Sequence, residues 1–249
     1  MEINGRFIED WLPSLYVLAE HHRVYAVDLL GHGRTDKPLN ASYKIADLAQ
    51  FVKDFMITLG IEHAHIIGHS LGGAISTRLT LLYPNLVDKL ILVSTAGLGR
   101  NVTIMLRIAT IPILGEKLTR PSRSGAANSA KMFVHDPDVI TDELIELDYQ
   151  MSSLPGAQQS LLRVLRANGN LFGQDKSMYK PNILGLPSIT KPVLVIWGRQ
   201  DKIISVEHAD VAAKNLPDAK VRIFDNCGHF PMLEHTQTFN ELLLEFLNN

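Results

Sequence analysis

Short apolar runs alternate along this chain with stretches whose apolar residues recur every three or four positions. The runs are 23–29 (RVYAVDL), 64–68 (AHIIG), 89–94 (KLILVS), 192–197 (PVLVIW) and 220–224 (KVRIF). Each is nearly continuous in apolar character instead of alternating, the pattern of parallel strands covered on both faces. Between the first two, Ile45, Leu48, Val52, Phe55, Met56 and Leu59 fall on one helical stripe, and Gly60 sits where a helix ends. Phe239, Leu242, Leu243, Phe246 and Leu247 form a similar stripe near the carboxyl end. Strand–helix alternation of this kind predicts an α/β fold, with a mostly parallel central sheet and helices on both faces.

The alternation breaks between 98 and 187, where helical periodicity continues without a convincing strand. Thr141, followed by Asp142 and Glu143, reads as a helix cap with an acidic first turn. Pro155 starts a further helix and Gly169 ends it. A connection of about 90 residues is far beyond an ordinary loop, so 98–187 is expected to be a helical cap inserted between two strands of a core formed by 1–97 and 188–249. Several peripheral helices with no lid role are the alternative.

Composition narrows the class. The 249 residues carry 24 Lys and Arg against 26 Asp and Glu, a formal net charge of −2, which gives a nucleic acid no basic face to grip. With 46% hydrophobic and 20% charged residues the chain is a globular domain, and no apolar stretch approaches membrane-helix length. The first residues, MEINGRFIEDW, lack the apolar core of a signal peptide. The one cysteine, Cys227, suits a reducing compartment, and a cytoplasmic protein is expected. Homo-oligomerisation stays open.

Chemistry concentrates in AHIIGHSLGGAIS, residues 64–76, which holds a G-x-S-x-G sequence at 68–72. A strand pattern runs straight in and a helix pattern straight out. A sharp strand–turn–helix exposes the central side chain, Ser70, beside the N–H groups of a helix start. A serine hydroxyl needs a base to take its proton, and that base needs an orienting carboxylate. His229 follows the run 220–224 and Asp201 follows the run 192–197, so both sit where catalytic groups gather, at the carboxyl ends of parallel strands.

With these residues in view, the chain resembles the α/β-hydrolase family, in its serine-nucleophile branch with a helical cap. The resemblance covers about residue 11 to the end. It rests on DLLGHG (28–33), GHSLGG (68–73), Tyr83-Pro84 before LILVS, WGRQD (197–201), and CGH (227–229) with Glu234 and Phe239 beyond. It implies Ser70 as nucleophile, His229 as base and then acid, Asp201 as its partner, and the backbone N–H of Leu71 as one oxyanion donor. No cofactor and no metal are implied. Relatives that open epoxides or displace halide carry an aspartate at the position of Ser70, so acyl transfer to water is expected.

The amino end departs from the family. Only 22 residues precede Arg23, whereas the family places a strand ending in His-Gly between the strand at 23–29 and the strand at 64–68. That loop gives the second oxyanion donor, and Gly5 is its nearest counterpart here. The N-terminal strands are thus shortened or missing. Three readings stay open. Met1 lies inside a longer natural chain; residues 1–8 supply a shortened strand; or the chain has lost catalysis and keeps the scaffold. A missing donor makes the chain as it stands a weak or poorly folding hydrolase, and upstream extension would then raise its activity and melting temperature.

Two substrate classes fit a small, largely apolar molecule. One is an ester or related acyl compound. The other is a dienoate from aromatic ring cleavage, split at a carbon–carbon bond. The C-terminal segment from Cys227 resembles the enzymes of that second class, but those typically carry Asn before the nucleophile and Trp after the histidine. His69 and Phe230 stand there instead and are the substrate-binding candidates. The ester reading leads. Arg100, Arg107, Arg163 and Arg166 are candidates for holding a substrate carboxylate. Apolar Ile104, Met105, Leu106, Ile108, Ile111, Ile113 and Leu114 are candidates for an acyl pocket. Cys227 reads as a small buried residue and His32 as a turn residue. Neither the pairs His21-His22 and His63-His65 nor the glycines 31 and 33 carry a metal or dinucleotide pattern.

Overall fold

The computed structural model describes residues 1–4 and 11–249. In chain order, β1 (Glu2–Asn4) and α1 (Leu12–Ala19) precede β2 (Ala26–Asp28), α2 (Ile45–Thr58), β3 (Ala64–His69), α3 (Leu71–Leu82) and β4 (Val87–Val93). Helices α4 (Ile104–Ala109), α5 (Leu114–Leu118), α6 (Arg123–Phe133), α7 (Asp142–Ser152) and α8 (Ala157–Asn168) follow. Next come the short strands β5 (Gly169–Asn170) and β6 (Gly173–Gln174), then α9 (Lys176–Gly185). The chain returns to the sheet at β7 (Val193–Gly198) and runs through α10 (Glu207–Asn215), β8 (Ala219–Phe224), α11 (Pro231–Glu234) and α12 (Thr236–Asn248).

Among the described residues, six strands form one parallel sheet in the order β2-β1-β3-β4-β7-β8. The continuous apolar runs divide between its faces. Leu90, Leu92, Val193 and Val195 pack with Leu48, Val52, Met56, Ile75 and Leu79 of α2 and α3. Ile91, Val93, Leu194 and Ile196 pack with Leu18 of α1 and Phe239 and Leu243 of α12. Strand alternation sends successive residues to opposite faces, so a strand buried on both has no polar position to show.

At the amino end the shortened strand is present. Glu2, Ile3 and Asn4 pair with Ala26–Asp28 on one side and with Ile67, Gly68 and His69 on the other. The backbone gap between β2 and β3 is thereby filled. The run at 23–29 predicts a seven-residue strand; the strand described is shorter, Ala26–Asp28, the part paired with Glu2–Asn4.

The 98–187 stretch also differs from expectation in detail. It contains a two-residue antiparallel ladder, Gly169↔Gln174 and Asn170↔Gly173, too short to leave a pattern in sequence. Helix α8 begins at Ala157, two residues beyond Pro155, with Gly156 as a left-handed cap at φ 79°. Thr141 caps α7 as expected, its side chain accepting from Leu144 N at 3.3 Å. Helix α9 lies against α3, where Arg78 Nε donates to Asn182 Oδ1 at 2.8 Å and Asn182 Nδ2 donates to the Ala74 carbonyl at 3.0 Å. No helix among the described residues is long and apolar enough to cross a membrane.

Candidate active site

Ser70 is the junction between β3 and α3. Its backbone is held at φ 53°, ψ −118°, a conformation that a non-glycine residue adopts only under constraint. The constraint is visible: Ser70 N donates to Val93 O at 3.0 Å, and Ala96 N donates to Ser70 O at 2.9 Å, tying the turn to the end of β4. Glycine is required at position 68, where a Cβ would stand 2.3 Å from Ser76 Oγ and 2.6 Å from Gly72 O across the turn.

The structure brings Ser70, His229 and Asp201 together from the ends of β3, β8 and β7. His229 Nε2 lies 3.0 Å from Ser70 Oγ, and His229 Nδ1 lies 2.7 Å from Asp201 Oδ2. The carboxylate cannot donate when ionised, so Nδ1 carries the hydrogen and Nε2 is left as acceptor for the serine hydroxyl. The other oxygen, Asp201 Oδ1, accepts from the N–H groups of Ile203 (2.8 Å) and Ile204 (3.0 Å). Both side chains of the His–Asp pair are shielded from solvent. The carboxylate is therefore fixed on both edges and the imidazole in one tautomer. Leu71, the first residue of α3, follows Ser70 at the helix start, where N–H groups have no partner within the helix. Gly5 lies outside the described residues.

The loop bearing His229 is held by its backbone. His229 N donates to Phe133 O at 2.7 Å, and His69 Nε2 donates to His229 O at 2.8 Å. Cys227 N donates to Gln200 Oε1 at 3.0 Å. Glu234 spans two segments: Oε1 accepts from Gly228 N at 2.7 Å, and Oε2 accepts from His135 N at 2.7 Å and Asp136 N at 3.1 Å. The role of Glu234 has no signature in sequence beyond a carboxylate following the histidine, because its partners, apart from the Cys227 thiol at 3.9 Å, are main-chain groups. His69 and Phe230 are buried beside His229, with ring centroids 4.9 Å apart, and both line the cavity described next.

Above Ser70 and His229 lies a cavity of about 580 Å³, walled by α4, α6, α7 and α8 on one side and by the strand ends on the other. Its lining is mainly aliphatic, including Met105, Leu106, Met132, Met151, Leu161 and Leu165. Ile104, Ile113 and Leu114, expected in an acyl pocket, instead point to solvent. Of the four arginine candidates Arg107 alone lines the cavity. Arg100 lies over the Phe172 ring, Arg163 donates to Leu39 O, and Arg166 pairs with Glu116. Cys227 is fully buried, and desolvation together with nearby Glu234 and Asp201 pushes its thiol well above the ordinary value, so it holds its proton. His63 pairs with Asp88 at the surface, 2.7 Å away. No cluster of metal-ligating side chains occurs among the described residues.

Comparison with known proteins follows the same lines. A family described by its alpha/beta hydrolase fold matches residues 7–236. The 2-hydroxymuconate semialdehyde hydrolase of Pseudomonas putida is 32% identical over 232 residues, 92% of this chain and 78% of that protein. A solved meta-cleavage product hydrolase from Pseudomonas fluorescens superposes with a TM-score of 0.83 at 27% identity, over 99% of this chain and 90% of that one. A membrane phospholipase A, described as a bacterial virulence factor, superposes with a TM-score of 0.82 at 25% identity, over 99% and 77%.

Proposed function

From the premise that the chain belongs to the alpha/beta hydrolase fold family, we propose that it is a serine hydrolase that cleaves an ester or related acyl bond of a largely apolar substrate. The observation that carries this reading is the line of contacts Ser70 Oγ–His229 Nε2–Asp201 Oδ2, at 3.0 and 2.7 Å, on the floor of the aliphatic cavity. Residues 98–187 serve as the cap over that floor.

The steps follow from the donor and acceptor roles. Ser70 Oγ attacks the acyl carbon while Nε2 of His229 takes its proton. The ring becomes a cation, and Asp201, held by Ile203 and Ile204, stabilises it in place. Negative charge develops on the former carbonyl oxygen. The Leu71 N–H at the start of α3 is one donor to it; Gly5, the sequence counterpart for the second, lies outside the described residues. His229 then returns the proton to the departing alkoxide. An acyl-serine remains, and a water activated by the same Nε2 releases it. His69 and Phe230 border the reacting carbon. No step calls on a cofactor.

Cleavage of a carbon–carbon bond next to a ketone uses the same attack on a carbonyl carbon, and the names of the Pseudomonas relatives favour it. The mainly aliphatic lining favours the ester, while Arg107 and Arg120 in the same wall, beside Asp148, are where a dienoate carboxylate would be held. A fluorophosphonate probe with mass-spectrometric mapping tests the nucleophile, and labelling is expected at Ser70. A folded, unlabelled protein would make the chain a non-catalytic scaffold. A panel of p-nitrophenyl esters of graded length beside one ring-cleavage dienoate then separates the two bond types. Turnover of the dienoate alone would reject the ester reading.

A further inference from the structure

The cavity holds one more side chain whose chemistry the triad does not use. His32 sits in the turn after β2, between Gly31 and Gly33, whose φ values are 86° and 47°. A Cβ on Gly31 would come within 2.2 Å of Ser160 Oγ and 2.5 Å of the Tyr43 ring, so the turn is seated tightly against α8. The His32 residue is only 7% exposed and lines the same cavity as Ser70 and His229.

Its hydrogen-bonding pattern is asymmetric. Nδ1 lies 3.2 Å from the Leu30 carbonyl oxygen. A carbonyl only accepts, so Nδ1 carries the hydrogen and Nε2 keeps a lone pair. Burial lowers the proton affinity of the ring, against smaller opposing effects of the Leu30 carbonyl and Asp28, which keeps it neutral at pH 7. No hydrogen bond to Nε2 occurs among the described residues, and Nε2 is not among the fully buried unpartnered atoms, so its lone pair is open to the cavity. It is met there by water or by a donor on the occupant of the cavity.

We propose that His32 selects the substrate, its Nε2 accepting a hydrogen bond from a hydroxyl group, so that the substrates are hydroxylated acyl compounds in preference to plain aliphatic ones. This rests on the cavity being the acyl site and adds the polar group that its occupant carries. It requires no proton transfer at His32 and no charge on it.

Two pairs of matched ligands test this. Propyl octanoate and 2-hydroxyethyl octanoate differ by a terminal methyl or hydroxyl on the alcohol side. Methyl nonanoate and methyl 8-hydroxyoctanoate differ in the same way on the acyl side. Binding is measured by calorimetry in the Ser70→Ala protein, where turnover is stopped, with His32 intact or changed to Phe or Gln. In at least one pair, His32→Phe is expected to lower the relative preference for the hydroxylated member about five- to tenfold. His32→Gln, which offers an amide oxygen, is expected to keep most of it. In parallel, with His32 intact and the histidines labelled with ¹⁵N, the His32 Nε2 resonance should shift with the hydroxylated ligand and not with its methyl isostere, a result independent of how either variant folds. Unchanged preferences in both pairs, or equal resonance shifts for hydroxyl and methyl ligands, would overturn the proposal. Failure of the hydrolase reading looks different: no probe labelling and no ester turnover in the unmodified chain, whatever the binding preferences.

Discussion

A single hydrogen bond decides which nitrogen of His229 faces the serine, and Asp201 sets it. Asp201→Asn replaces an acceptor with a group that can present N–H to Nδ1, which reverses the tautomer and turns Nε2 away from its proposed role as base. With the fold retained, kcat is expected to fall on the order of 10³- to 10⁴-fold, read against the best ester of the panel. Other histidines matter to stability instead. Burial lowers the proton affinity of His32, His65 and His208. Below the ordinary value of 6.5 the unfolded chain therefore binds more protons than the folded one, and stability falls as pH falls from there. The surface pair His63–Asp88 works in the opposite sense, since His63 is raised, but it is exposed and screened. The expected outcome is a melting temperature that drops between pH 7 and pH 5. His208→Gln should flatten that drop, and a melting temperature flat over the range would contradict the sign.

Elements position these residues through contacts that sequence periodicity records unevenly. The amphipathic stripe of α2 and the apolar runs of β3, β4 and β7 were readable because burial of a whole face demands a repeating pattern. The serine turn was readable because the chain reversal demands glycine at 68. Strand β1 was legible only as one of three readings, a strand within 1–8, since Glu2-Ile3-Asn4 has one apolar residue in three and takes its place from the backbone pairing offered on both sides. Proline at position 3 cannot donate to that ladder. Ile3→Pro is accordingly expected to leave little soluble folded protein, measured by the soluble fraction and circular dichroism. Glu234 is quoted in the family resemblance, but its task is not legible there, because it accepts chiefly from the main-chain N–H groups of Gly228, His135 and Asp136. Removing it as Glu234→Ala strands a buried N–H at Gly228, at a cost of about 1–3 kcal/mol. It also frees the histidine loop from the segment after α6. A lower melting temperature and a kcat reduced about ten- to a hundredfold are expected, with Glu234→Gln recovering part of both.

At the scale of the molecule, two layers with different tasks meet at the cavity. In the proposed mechanism the sheet layer supplies the reacting groups from three strand ends, and its backbone ties leave them little freedom. The helical layer supplies none of the triad, but most of the wall: α4, α6, α7 and α8 bring the aliphatic side chains that line the cavity. Length selectivity should therefore change independently of chemistry when a wall residue is enlarged. Ala126 on α6 is 7% exposed and lines the cavity without touching the triad by hydrogen bond. Ala126→Phe places a ring into the space above the serine while leaving Ser70, His229 and Asp201 untouched. The expected result is a fall of at least tenfold in kcat/KM for a dodecanoyl ester beside a change of less than about threefold for an acetyl ester, with fluorophosphonate labelling of Ser70 at its original rate. An equal loss on both esters would mean that the ring disturbs the floor, and that helices and sheet do not divide the work in this way.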